Sequence, residues 1–272
     1  MLILIIKTVI IGIIEGITEW LPISSTGHMI LANEFINLNV TDGFWEMFEV
    51  VIQLGAIMSV VVLYFKTLFP WGFGKSKIET KNTFNLWFKI IIGCIPCAII
   101  GLIFDDFINE KFYNPWTVAI TLILYGILFI VIENVRKDKK TRVTDINKLS
   151  VKDALLVGVF QVLSIIPGTS RSGSTILGGL SIGLDRKVAA NYTFFLAIPV
   201  MFGASLLKIV KFGLNFTSSE LIVLFVGMFT AFIVSIIAIK FLLKYIKNND
   251  FKLFGYYRIV LGIIVLLYFI LK

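Results

Sequence analysis

Histidine occurs once in this chain, at position 28, and cysteine only twice, at positions 94 and 97. The Cys-x-x-Cys pair lies inside the apolar run 90–104 with no partner ligands, so neither a zinc site nor a redox motif has its usual setting. The two thiols read as small apolar packing residues. Charge is sparse, at 15% of residues, and no basic stripe carries interleaved aromatics, which excludes a nucleic-acid partner. The first fourteen residues lack the basic start and A-x-A site of a signal peptide and run straight into Glu15, so they are expected to stay with the protein.

What the chain has instead is apolar length. Of its 272 residues 58% are hydrophobic, 25 are Phe, and the mean hydropathy is +0.94. A soluble domain is about half apolar, and here the excess falls in long runs. The reading is an all-α polytopic membrane protein forming a single membrane domain over 1–272. The formal charge of +8 suits basic loops facing an anionic leaflet. Runs at 47–65, 86–104, 116–132, 188–210, 221–243 and 255–271 are each predicted to span a bilayer, with Pro199 kinking the fourth.

Two stretches break this pattern. Residues 15–29 place Glu15, Glu19, four hydroxyls, Pro22 and His28 at the edge of an apolar run. Residues 167–175, PGTSRSGST, answer them from the other half of the chain. Polarity buried in such segments is costly and marks function by default. Pro22 ends a helix at about Leu21, and Ser24, Ser25 and Thr26 are caps for a new helix into Phe35. Each half is too short to span, which suggests a re-entrant hairpin, the alternative being one kinked span. Residues 154–184 repeat this short–break–short form. The shift that lays Gly12 on Gly158 also lays Glu15 on Gln161, Ser24 on Ser170, Thr26 on Ser172 and Gly27 on Gly173. The expected architecture is therefore an inverted-topology repeat, about 1–134 and 154–272, each half one re-entrant hairpin plus three transmembrane helices.

Lys and Arg set the orientation. One side receives those in 66–89, 136–152, 186–187 and 240–258. The other receives Lys7, Lys111, Lys208, Lys211 and Lys272. The first side is expected inside, with both termini and the mouth of the first hairpin outside.

The breaks also carry chemistry. Glu15 and Glu19 are four apart and share a helix face. Two carboxylates in low dielectric call for a cation between them, and oxygen-only ligation suits Mg²⁺ or Ca²⁺. The alternative is an idle pair neutralised by Arg171. The turns Ser24–Ser25–Thr26–Gly27 and Ser170–Arg171–Ser172–Gly173 each open a helix whose free N–H groups favour an anion. Arg171 adds a fork matching phosphate oxygens. Simple capping is the alternative for each hydroxyl, Ser24, Ser172 and Ser174 in particular. His28, one turn after Ser25, is a candidate base, acid or nucleophile. Ser25 with His28 is a nucleophile-and-base arrangement, while attack by His28 itself or by a metal-bound water stays open.

EGITEWLPISSTGH at 15–28, FEVVIQLG at 48–55 and PGTSRSGST at 167–175 resemble the bacterial undecaprenyl-diphosphate phosphatases of the bacitracin-resistance type. The likeness covers nearly the whole chain. It implies hydrolysis of the terminal phosphate of undecaprenyl diphosphate at the outer face of the plasma membrane, regenerating the carrier for peptidoglycan, with a divalent metal. The two-carboxylate motif falls on Glu15 and Glu19, and the serine–serine–hydroxyl–Gly–His element falls on Ser24 to His28. The third motif falls on residues 167–175, including Gly168, Ser170, Arg171, Ser172, Gly173 and Thr175. The expected assignment is Ser25, His28, Glu19 and Arg171 as catalytic and Glu15 and Glu19 as metal ligands. Ser24, Thr26, Gly27, Gly168, Ser170, Ser172, Gly173 and Thr175 are expected to bind a polyprenyl diphosphate. No protein partner is indicated. A transporter or flippase of a polyprenyl phosphate is the competing reading, because broken helices in inverted repeats also build transporters.

Overall fold

The computed structural model of the protein describes residues 1–72, 74–213 and 215–272, and the side chains of all of these except Asp105 and Asn109. The described residues form helices α1 (Leu2–Thr18), α2 (Ser25–Phe35), α3 (Phe44–Val51), α4 (Gln53–Leu63), α5 (Phe65–Leu68) and α6 (Lys77–Phe112). There follow α7 (Pro115–Arg136), α8 (Val151–Val162), α9 (Arg171–Ser181), α10 (Arg186–Phe212), α11 (Ser218–Tyr245) and α12 (Lys252–Leu271).

Six stretches are long and apolar enough to cross a membrane: Phe44–Leu63, Lys77–Phe104, Pro115–Arg136, Arg186–Phe212, Ser218–Tyr245 and Lys252–Leu271. They fall on the six predicted runs, and the protein is a polytopic helical membrane protein. Their outward faces carry side chains such as Phe225, Phe229, Ile237 and Val260 in the open, as a lipid-facing surface requires.

Several boundaries differ from expectation. α6 has 36 residues, about 54 Å at 1.5 Å per residue, well past a hydrocarbon core of about 30 Å. Its start is extended by a capping box in which Ser76 N–H donates to Glu79 at 2.8 Å and Glu79 N–H donates to Ser76 Oγ at 3.2 Å. The first span is interrupted at Ile52, between α3 and α4. α1 ends at Thr18 rather than Leu21, although Leu21 N–H still reaches Ile17 O at 3.4 Å.

Close helix crossings are made at small residues. α1 lays Gly12 and Gly16 against Thr230 and Val234 of α11, and α8 lays Gly158 on the backbone of Gly93 in α6. Gly55 of α4 meets Met228 of α11, and Gly126 of α7 meets Gly255 of α12. A Cβ at Gly158 would overlap the Gly93 backbone, so the close approach itself demands glycine. The pairing is reciprocal. α1, from the first half, packs along α11 in the second, and α8, from the second, packs along α6 in the first.

Both short helix pairs fold back on themselves. Lys7 Nζ, early in α1, donates to Asn37 O just past α2 at 2.6 Å. Val143, ahead of α8, bridges Leu184 beyond α9, with Asp185 N–H donating to Val143 O at 2.9 Å. One end of the bundle is tied by Lys272 to Glu34 at 2.5 Å and by Thr41 to Glu220. The other end is tied by Arg186 and Phe251 N–H on Glu133 and by Lys89 on Asn147 O. Both termini and the ends of the first pair therefore share one end of the bundle.

Candidate active site

Each break is built the same way. Ser24 and Ser170 both adopt φ 73°, a conformation that costs non-glycine residues energy. Each then caps the helix it precedes. Ser24 Oγ accepts from Gly27 N–H at 3.3 Å and Ser170 Oγ accepts from Gly173 N–H at 3.1 Å, and each helix runs eleven residues. These two N–H groups are thus committed to capping.

The breaks meet at Glu19. Its Oε1 receives Arg171 Nη2 at 2.8 Å and its Oε2 receives the Ser25 hydroxyl at 2.9 Å. Glu19 is 5% exposed and the Arg171 side chain 9%. Arg171 also donates Nη1 to Thr193 O at 2.8 Å and sits 5.6 Å over the buried Trp20 ring, which meets Phe194 edge-on. Its Nε is buried without a hydrogen-bond partner among the described residues. That leaves one donor of a nearly buried cation open to an anion.

Further ties lock the two breaks together. Ser172 Oγ donates to Glu19 O at 3.0 Å and lies 3.3 Å from Leu21 O. Thr175 Oγ1 donates to Arg171 O at 2.8 Å and accepts from Thr193. Ser24, Ser170, Ser172 and Thr175 therefore spend their hydroxyls on backbone and on each other. Gly168, at φ 84°, passes so close to Thr121 that a side chain would overlap it. A Cβ on Gly27 would press Leu122, and one on Gly173 would press Arg258. Thr26 stands half-buried on the first turn of α2.

One predicted pairing is replaced. His28 is not the partner of Ser25. Its Nδ1 lies 2.7 Å from Ser24 O and its Nε2 lies 2.7 Å from the Tyr257 hydroxyl. On α2 the Ser25 side chain turns back across the break to Glu19, while the ring of His28 turns towards α12.

A sequence model of the family described as Bacitracin resistance protein BacA matches residues 8–264. The chain belongs to that family. It is 62% identical over 265 residues to an undecaprenyl-diphosphatase of Acetivibrio thermocellus, covering 97% of both chains. It is 60% identical over 266 residues to one of Desulfitobacterium hafniense, covering 97% of this chain and 96% of the relative. Against undecaprenyl-diphosphatase 1 of Clostridium acetobutylicum the figure is 61% over 268 residues, 98% of each chain.

In this BacA-family chain the residue that sequence reading misplaced is Arg258. The Lys/Arg distribution counts it with the inner-side charges of 240–258, but it is fully buried on α12. Its guanidinium donates to Pro22 O at 3.2 Å in the first break, and to Gly168 O and Thr169 O at 2.8 and 2.9 Å in the second. It also lies 5.5 Å over Tyr125. The available signal was its position inside the apolar run 255–271 and not before it.

Among the described residues no group of three or more His, Cys, Asp or Glu side chains is gathered to hold a metal ion. Glu15 nonetheless leaves Oε1 buried with no partner, one turn from Glu19. An orphaned carboxylate oxygen beside a second carboxylate fits an ion such as Mg²⁺, which takes one or two carboxylates and completes its shell from water and phosphate.

Proposed function

We propose that this protein is a membrane phosphatase that hydrolyses undecaprenyl diphosphate to undecaprenyl phosphate and inorganic phosphate, the activity underlying bacitracin resistance in the BacA family. The observation that carries it is the Glu19 carboxylate, held between a hydroxyl of its own break and the buried cation of the other. Neither break alone has both a nucleophile with its base and a fixed cation.

In this reading Ser25 Oγ attacks the terminal phosphorus and its proton passes to Glu19 Oε2. The bond from phosphorus to the bridging oxygen breaks, and the lipid phosphate leaves with that electron pair. Water then attacks the phosphoserine and releases inorganic phosphate, Glu19 returning the proton to Ser25. Arg171 holds Glu19 Oε1 and offers Nε–H to a phosphate oxygen, charge stabilisation of the kind phosphoryl transfer relies on. Glu15 and Glu19 would hold a divalent metal, Mg²⁺ or Ca²⁺, which when bound neutralises diphosphate charge. The polyprenyl chain lies in the bilayer against the exposed apolar helix faces.

The two halves are read as an inverted repeat with re-entrant hairpins. The matching φ of Ser24 and Ser170, the reciprocal packing of α1 on α11 and α8 on α6, and the return of each short pair to its starting end support this. The location is the bacterial plasma membrane, with the site opening to the extracytoplasmic side.

The test is inorganic phosphate release by the purified, detergent-solubilised chain given a long-chain prenyl diphosphate. Release that vanishes in Ser25→Ala supports the mechanism. A wild-type chain that binds the lipid and liberates no phosphate would favour a flippase.

A further inference from the structure

His28 has both ring nitrogens engaged. Ser24 O is a carbonyl and can only accept, so the 2.7 Å contact places the proton on Nδ1. In the neutral ring Nε2 is then the lone-pair nitrogen, and the partner at 2.7 Å is the Tyr257 hydroxyl, which donates to it. The two rings are parallel within 6°, with centroids 5.6 Å apart. The phenol thus holds the imidazole by its edge and limits its rotation about χ2.

Tyr257 immediately precedes Arg258, whose guanidinium is fixed by carbonyls of both breaks. The phenol is therefore carried on a stretch of α12 that is itself anchored to the site. Tyr257 is 44% exposed, so core packing does not explain its presence. The adjacent Tyr256, also exposed, supplies an internal comparison.

We propose that Tyr257 is a positioning residue for His28: while Ser24 O fixes the Nδ1–H tautomer, the Tyr257 hydroxyl donates to Nε2 and holds the basic nitrogen towards α12, away from Ser25. This rests on the phosphatase reading for its catalytic consequence, but not for its structural content. It leaves the Ser25 proton to Glu19 and places the basic nitrogen of His28 behind the phenol. A second-tier partner of this kind fixes the ring orientation of a functional histidine.

His28 is the only histidine in the chain, so selective ¹⁵N labelling of histidine in the detergent-solubilised full-length protein reports on this one ring. Long-range ¹H–¹⁵N spectra of the wild type near neutral pH are expected to show a protonated Nδ1 and an unprotonated Nε2. In Tyr257→Phe, which keeps the ring and removes the hydroxyl, the Nδ1 signal should stay that of a protonated nitrogen, while the Nε2 signal should shift to that of an unprotonated nitrogen without a hydrogen bond. Tyr256→Phe should leave them unchanged.

A wild-type spectrum with Nε2 protonated and Nδ1 not would overturn the proposal without any variant. So would a folded Tyr257→Phe protein whose histidine spectrum matches the wild type. If the wild type releases no phosphate while its tautomer pattern is as stated, the phosphatase reading fails and the positioning inference stands.

Discussion

Glu19 has three calls on one carboxylate: Ser25, Arg171 and, in the proposed mechanism, a metal. Each depends on negative charge. Glu19→Gln is therefore expected to abolish phosphate release by at least about 10²-fold, the lower range for losing a general base, checked by steady-state assay at saturating lipid. Arg171 uses Nη1, Nη2 and a free Nε in three directions, which a lysine ammonium on a single stem cannot reproduce. Arg171→Lys should fail to rescue the loss seen in Arg171→Ala, even though charge is kept. Glu15 has an unpartnered oxygen and no hydroxyl to serve, so Glu15→Gln should act mainly on the ion. Its activity is expected to need at least about 10-fold more Mg²⁺, a loss of affinity at least as large as that for a residue acting only through a ligand. A metal titration superposing on the wild type would remove Glu15 from the ligand set.

The elements depend on crossings without side chains between them. Gly158 lies on the Gly93 backbone where α8 meets α6, and α8 leads into the break that presents Arg171. Gly158→Ala should force these helices apart at a cost of about 1–3 kcal/mol, the usual penalty for overpacking. A lower thermal midpoint in detergent, with activity reduced in step, would show it. Such crossings also mark how far the sequence could be read. Helix spans and both breaks were legible, because polar residues stand out in apolar runs, while the capping by Ser24 and Ser170 and the pairing of Glu19 with Arg171 were read only as alternatives to substrate and metal binding. The contacts of Arg258 and Tyr257 were not. Hydropathy does not distinguish the inward face of a span from its lipid face, and Pro22 lies 236 positions from Arg258. The Ser25–His28 pairing failed for a related reason. Spacing put the residues one turn apart, but the positive φ of Ser24 and the phenol of α12 decided where each side chain turned.

For the whole molecule, the two ends of the bundle differ in charge, and the richly basic end is expected inside. Single cysteines at the exposed positions Asn39 and Lys137, in a background lacking Cys94 and Cys97, test this with an impermeant thiol reagent on intact cells. Labelling at 39 and protection at 137 is the expected outcome, and the reverse would invert the orientation. The order of synthesis matters as well. A nascent chain that has inserted both breaks already holds the Glu19–Arg171 pair and the carbonyls of Pro22, Gly168 and Thr169, but the guanidinium that donates to those three carbonyls arrives only with α12. A chain shortened to end before α12 is therefore expected to insert both breaks yet leave three buried carbonyls without their cation.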